Sequence, residues 1–318
     1  MPKNINYQPV FNLVSQPRLS RFDIFFTDIE EKDYKRFGIY LWSQNASASL
    51  YPMMQHLEVL MRNAIDKEAR RRFGDYWWDI VHVDTSKSNH NNFKNGIQHA
   101  VRNLEKAWKK AERIRLGISQ ADSLPSSSSI PTFSHDDIVA ATDFGTWKEI
   151  LVSAYHTSNL AEQDNFLWPK SLSKVFRQYN TFDNSPDNAR EDILNLVNEL
   201  KDYRNRLFHH DCIWVKSKST NSQNAIDTIR HKINLIEKLI KAISPITAKT
   251  LSSWGVFSHA KRICSTNELA LYLEMTPLFD IENSEPEQIH DYFSNSSKAN
   301  KTVPFTLKGK ALGTYTLR

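Results

Sequence analysis

The sequence predicts an all-α protein: a helical bundle with an N-terminal helical portion and an irregular C-terminal tail. Three observations carry that reading. Glycine is scarce, at 8 in 318 residues, where average usage of about 7% would give roughly 22. Sheets use glycine in hairpin turns, bulges and tight bends, so its scarcity favours long helices joined by few loops. Apolar residues recur at three- and four-residue steps through much of the chain. The chain is 40% hydrophobic and 24% charged, the balance of a globular protein with a sizeable core.

The elements follow in order. Residues 1–17 read as an irregular arm, because Pro2, Pro9 and Pro17 limit helix. A helical region spans 18–116. Within it Tyr34, Phe37, Tyr40 and Leu41 recur at helical spacing, and a second helix starts near Ser49. Leu50, Met53, Met54, Leu57, Leu60, Met61, Ala64 and Ile65 form the apolar side of that helix, and Gly74 stops it. Trp77 and Trp78 plug a core edge. Residues 89–116 form an amphipathic helix with Ile97, Val101, Leu104, Trp108 and Ala111 inward. Residues 117–135 are rich in Ser and Pro and serve as a linker or an internal loop. A second helical region spans 136–282. Ser134 caps its first helix, with Asp136 and Asp137 in the first turn. The stretches DFGTWKEILVSAY and DNFLWPKSLSKVFRQY give two helical pieces. Ser185 and Pro186 then start a helix carrying Ile193, Val197, Leu200 and Leu207 on its apolar stripe. An isoleucine-rich core helix over 226–243 is stopped by Pro245. The polar, basic tail over 283–318 is a small hairpin, a contacting arm or a disordered end.

Composition also excludes classes. With 2 cysteines, Cys212 and Cys264, no disulfide framework or four-cysteine zinc site is available, and reduced thiols in the cytoplasm are expected. No signal peptide and no run of apolar residues long enough for a membrane is visible. No metalloprotease spacing, phosphate loop or nucleophile elbow occurs, so no metal or cofactor is expected. The net charge of +5 permits a nucleic-acid partner without requiring one.

The segment DYRNRLFHHD, residues 202–211, carries the chemistry. Arg204, Asn205 and His209 form an R-N-x-x-x-H pattern. Asn205 and His209 are four apart and share a helix face, with Arg204 one step round. Arg204 falls on the apolar stripe of its helix, where a guanidinium needs a partner or an anionic ligand. These groups suit RNA cleavage by attack of the 2′-hydroxyl. An imidazole takes its proton and an imidazolium returns one to the leaving 5′-oxygen. A guanidinium holds the charge growing on the phosphate, and an amide orients the phosphate or the imidazole. His210 is the alternative acid/base. The ordinary reading is that Arg204 pairs with Glu199 or Asp202 and that both histidines complement a helix C-terminus.

The chain resembles the bacterial Abi-like family, abortive-infection proteins of the AbiD/AbiF kind within the HEPN superfamily. The resemblance lies in the ordered blocks RLSRFDIFFTDIEEKDYKRFGIYLW, LEVLMRNAID, FGTWKEIL, LWPKSLSKVF and LKDYRNRLFHHDCIW, spread over most of residues 18–243. It implies a HEPN-type helical bundle and a metal-independent endoribonuclease working as a homodimer. It further implies a role in phage defence or as a toxin, with a bound noncoding RNA plausible. The family's motif maps onto Arg204, Asn205 and His209. A second pair, Arg62-Asn63, has Lys67 where the histidine would stand, so a second complete catalytic site is not expected. Glu58 lies one turn before Arg62, and the two either brace the bundle or support the cleft.

Candidate RNA-binding residues form a stripe of Arg102, Lys106, Lys109, Lys110 and Arg113, with a second cluster at Arg70, Arg71 and Arg72. Lys298, Lys301, Lys308 and Lys310 make the tail basic as well. The competing reading of each is a solvated helix face. The alternatives to a nuclease are a catalytically silent RNA-binding module and a helical protein-interaction protein.

Overall fold

The structure, a computed structural model, describes residues 5–25, 32–119, 122–273, 279–297, 303–308 and 310–314. It is mostly helical, and among the described residues its one sheet is a three-stranded one near the C-terminus. The chain falls into two units. The first comprises Met1–His56, Asp202–Lys241 and Ile246–Arg318, the second Leu57–Lys201 and Ala242–Pro245. The expected split into 18–116 and 136–282 is therefore replaced by an interleaved one, and the 117–135 loop is internal to the second unit.

In the first unit, the expected irregular arm is helical over Gln8–Val14 and Gln16–Leu19, followed by a 3-10 turn, Ser20–Phe25. Pro9 and Pro17 sit in the first turns of these helices, where the missing N–H removes no bond. The expected pair of helices in the 34–74 region is one continuous helix, Lys32–Phe73, that carries Pro52 inside it. Pro52 and Ala48 are both exposed, so the Ala48 carbonyl that loses its partner faces water. Trp42, Leu50 and Met53 are fully buried along this helix. The Trp42 indole donates to the Ile263 carbonyl at 3.0 Å. At Gly38 a Cβ would collide with the Tyr272 carbonyl oxygen, so only glycine lets the Thr266–Leu273 helix pack there. Phe22, Phe25 and Trp214 form an aromatic cluster, with Phe25 edge-on to Trp214 at 5.0 Å. The Ser222–Ile243 helix contributes Ile226, Ile229, Ile233, Ile236, Leu239 and Ile240, as its periodicity predicts. The tail carries the hairpin. Val303–Leu307 pairs antiparallel with Lys310–Thr314 and parallel with Phe279–Asp280. A helix over Pro286–Ser297 stacks Tyr292 on Phe279 at 4.2 Å. Lys298 and Lys301 lie outside the described residues.

The second unit is built around tryptophans. Trp77 stacks on Phe93 at 5.2 Å and Phe93 meets Trp147 edge-on at 5.8 Å. Three of its buried indoles have acceptors: Asp66 Oδ1 for Trp77, Thr142 Oγ1 for Trp147 and the Ile150 carbonyl for Trp168. Ser134 and Asp137 close a reciprocal capping box on the His135–Ala140 helix. Gly74 has φ +85° and its N–H reaches the Arg70 carbonyl at 2.8 Å, the expected helix stop. The Asn92–Leu116 helix departs from expectation. It buries Phe93, Ile97 and Ala100, but Val101, Leu104 and Trp108 are only half-buried and Ala111 is exposed. The stretch DNFLWPKSLSKVFRQY contracts to a single turn, Leu172–Val175, because Pro169 forbids helix before it.

Candidate active site at the end of the motif helix

Arg204 and Asn205 lie near the end of the helix Pro186–Phe208, and His209 is the first residue beyond it. The turn closes by a two-bond C-cap. The Asp211 N–H donates to the Arg206 carbonyl at 2.9 Å and the His210 N–H to the Leu207 carbonyl at 3.3 Å. His210 supplies the left-handed residue this cap needs, at φ 55°, a position usually given to glycine. Of the two histidines, His210 is thus the capping residue. His209 still belongs to the helix face, since its N–H reaches the Asn205 carbonyl at 2.9 Å. Asn205 and His209 therefore share a face as the spacing predicts. Asn205 is half-buried and His209 is exposed.

Arg204 is half-buried, with its guanidinium over the Phe208 ring at 4.3 Å. Phe208 in turn meets Tyr51 edge-on at 4.9 Å, and the Tyr51 hydroxyl donates to the Leu207 carbonyl at 3.2 Å. This stack directs the Arg204 side chain along its own helix toward the C-terminal end.

Beside the helix end lies a cleft of about 480 Å³. Arg18, Arg21, Tyr40, Tyr51, His210 and Asp211 line it. Arg21 pairs with Asp211, whose carboxylate also accepts the Cys212 N–H at 2.8 Å. Burial pushes the Asp211 carboxyl up, but the Cys212 N–H and the charges of Arg21, Lys216 and Arg206 outweigh it and hold the group below the ordinary aspartate value. Burial raises the Cys212 thiol, with Asp211 adding to the rise, so this cysteine is a poor nucleophile. The Arg18 side chain has no ion-pair or hydrogen-bond partner among the described residues. The cleft is thus electropositive, and His210, not His209, opens onto it.

No family model matches this chain, and no curated protein or solved structure matches it either.

The remaining sequence candidates divide by whether their charge is already engaged. Arg70 pairs with Asp75 and with Asp136 at 3.1 Å, and Arg71 binds Glu68 through two bonds of 2.8 Å. Arg62 donates to the Ala140 carbonyl and to the Asn63 amide oxygen, each at 3.4 Å. Glu58 is half-buried one turn earlier. Arg113 reaches the Asp122 carbonyl at 3.4 Å. Arg102, Lys106 and Lys110 are exposed and Lys109 half-exposed on the Asn92–Leu116 helix. Among the described residues no group of three potential metal ligands occurs, and no helix is long and apolar enough to cross a membrane.

Sequence reasoning missed Arg18, Arg21 and the two tyrosines. They come from the N-terminal stretch, and Arg21 and Asp211 are 190 positions apart. The only signal was the RLSRFD block, which carries no local chemistry.

Proposed function

We propose that this chain is a metal-independent endoribonuclease of the HEPN superfamily, of the Abi-like kind, cleaving RNA in phage defence or as a toxin. The observation that carries the reading is the helix end, where Asn205 and a solvent-facing His209 share one face beside a cleft bearing Arg18 and Arg21. A neutral imidazole at His209 takes the 2′-hydroxyl proton. The 2′-oxygen bonds to phosphorus and the bond to the 5′-oxygen breaks. An imidazolium then protonates that oxygen, leaving a 2′,3′-cyclic phosphate and a 5′-hydroxyl. Arg204 offsets the charge that grows on the phosphate oxygens, and Asn205 holds the phosphate or the imidazole in place. In a symmetric pair of chains, two His209 rings can share the base and acid roles.

The test is cleavage of labelled RNA in EDTA by wild type and His209→Ala. The expected result is cleavage by wild type alone, with a loss of about 10²–10⁴-fold in the variant. Equal cleavage by both refutes the role of His209. A substrate with 2′-deoxyribose at the scissile position should resist, because it lacks the attacking hydroxyl. One observation favours the second reading, RNA binding without cleavage: among the described residues no side chain or carbonyl hydrogen-bonds the His209 ring to fix its tautomer. That reading predicts salt-dependent RNA binding with no product from either protein.

A further inference from the structure

The second unit holds a cleft of about 700 Å³ that the reading above leaves unused. Its walls come from two places in the sequence. The Lys32–Phe73 helix presents Asn63, Lys67 and Arg71 at four-residue steps, so all three lie on one stripe. Facing them are Lys174, in the turn Leu172–Val175, and Arg177 just beyond it. The single acid in the lining is Glu68, and the two bonds from Arg71 already engage it. Lys67, Lys174 and Arg177 are exposed, and their side chains have no ion-pair or hydrogen-bond partner among the described residues. Their charges all add to the field in the cleft.

The two walls are fixed to each other. Arg72 donates to the Leu167 carbonyl and the Ser171 hydroxyl at 2.8 Å, and to the Gln163 and Asp164 carbonyls at 3.0 and 3.1 Å. This clamp ties the helix to the segment that leads into Lys174. The Gln178 N–H then donates to the Ala242 carbonyl at 3.0 Å, which sets Ile243 against the far side. The backbone positions that carry the cations are therefore set before any ligand arrives, so binding has to order only the exposed side chains themselves. Concave walls of one sign also concentrate the field more than the convex stripe on the Asn92–Leu116 helix does.

We infer that this cleft binds nucleotide phosphates. Lys67, Lys174 and Arg177 take phosphate oxygens. Asn63 offers an amide that both donates and accepts, as a base edge requires. Leu60 and Ile243 give an apolar surface for the sugar or base. The ligand comes either from an RNA strand or from a free nucleotide. The cleft holds its phosphate without cutting it: its lining residues include no histidine, and its acid, Glu68, is already bound by Arg71. The inference does not depend on cleavage at His209.

The test is fluorescence anisotropy of a labelled 2′-O-methyl oligouridylate, which cannot be cut by 2′-hydroxyl attack. The full chain is compared with the triple variant Lys67→Ala/Lys174→Ala/Arg177→Ala. A charge-matched control, Lys87→Ala/Lys218→Ala/Lys249→Ala, carries the same loss of exposed cations from positions given no binding role. Circular dichroism checks that each variant is folded. The expected result is a loss of at least about tenfold in affinity for the cleft variant near 0.1 M salt, and a salt slope lower by about 2, from ~0.7 per phosphate contact. The control changes by much less. Displacement of the probe by AMP assigns the site to free nucleotides as well as strands. Displacement only by unlabelled oligouridylate assigns it to strands. No binding by wild type, or an equal loss in cleft variant and control, overturns the proposal.

Discussion

Two stretches of this chain share one spacing, Arg204-Asn205-x-x-x-His209 and Arg62-Asn63-x-x-x-Lys67, and their helical settings differ. The first runs out at a helix terminus. Its last residue stands exposed beside a left-handed cap, and its arginine lies on Phe208. The second sits inside a helix that continues to Phe73. There the neighbouring turns are bolted down: Asp66 accepts from Trp77 and binds His135 Nε2 at 2.8 Å, and Arg72 holds four acceptors. A terminal position leaves a side chain free to meet a substrate and move a proton. An internal, bolted position fixes charges in space. Under the proposed function the same spacing would serve proton transfer in one setting and charge placement in the other, and the exchange of His for Lys follows that division.

The largest expected effect comes from converting the first stretch into the second. His209→Lys keeps a nitrogen side chain at the helix end but removes the imidazole. Cleavage of labelled RNA should fall by about 10²–10⁴-fold, while binding of the uncleavable oligouridylate stays within a factor of about two. Retained cleavage would break the comparison, because the two stretches would then differ in sequence without differing in role.

The bolt under the second stretch is next. Tyr76 N–H donates to His135 Nδ1 at 3.1 Å, so Nε2 carries the proton that faces Asp66. Asp66→Ala leaves that N–H and the Trp77 indole N–H buried without an acceptor. It should destabilise the protein by about 2–4 kcal/mol in urea denaturation. Cleavage per folded molecule should be unchanged below the unfolding transition. A loss under 1 kcal/mol (roughly the net worth of one ordinary hydrogen bond) would show that the second stretch is not held by this network.

The sequence revealed the local parts of this picture and missed the parts made by distance. Gly74 as a helix stop, the Ser134–Asp137 cap and the Pro186 start are signals contained within four residues, and each stands where it was expected. The isoleucine helix was equally plain, because burial on one face writes a period into the chain. Proline misled at the N-terminus. Pro9 and Pro17 read as breakers but start helices, and the helix expected to begin near Ser49 is continuous with the one before it, with Pro52 on an exposed face. Which face of a helix meets water is a tertiary fact. The Arg21–Asp211 pair and the cluster of Lys67 with Lys174 and Arg177 are tertiary too, and no window of sequence contains them. The half-covered stripe of Val101, Leu104 and Trp108 shows the converse: amphipathic spacing states which side is apolar, not whether a partner covers it.

His210→Gly separates the two histidines of the first stretch. Glycine adopts the left-handed cap without the Cβ penalty, so stability should rise by about 0.5–1 kcal/mol, read as a higher urea midpoint. If His209 is the acid/base, cleavage survives this substitution. A fall as large as that for His209→Lys would move the chemistry to the residue that lines the cleft.

The smallest effect is in acid, and it asks what holds the cleft beside the first stretch together. Asp211→Asn keeps an oxygen to accept the Cys212 N–H and keeps the backbone bond to Arg206, so only the charge facing Arg21 is lost. Burial works against the Asp211 carboxylate, yet the Cys212 bond and the charges of Arg21, Lys216 and Arg206 leave its folded value depressed. A depressed carboxyl contributes stability above its unfolded value, about 3.9, and that contribution fades as pH falls through the lower folded value. Wild type should therefore exceed the variant in urea midpoint above about pH 5, and the gap should close on acidification below about pH 4. The gap stays small because each side chain of the pair is about a third exposed and the pair is screened by water and salt. A gap that is constant with pH would mean that shape, not charge, seats Arg21. The cleft beside His209 would then be built like the bolted stretch around Lys67, and the contrast between the two regions would narrow to the histidine alone.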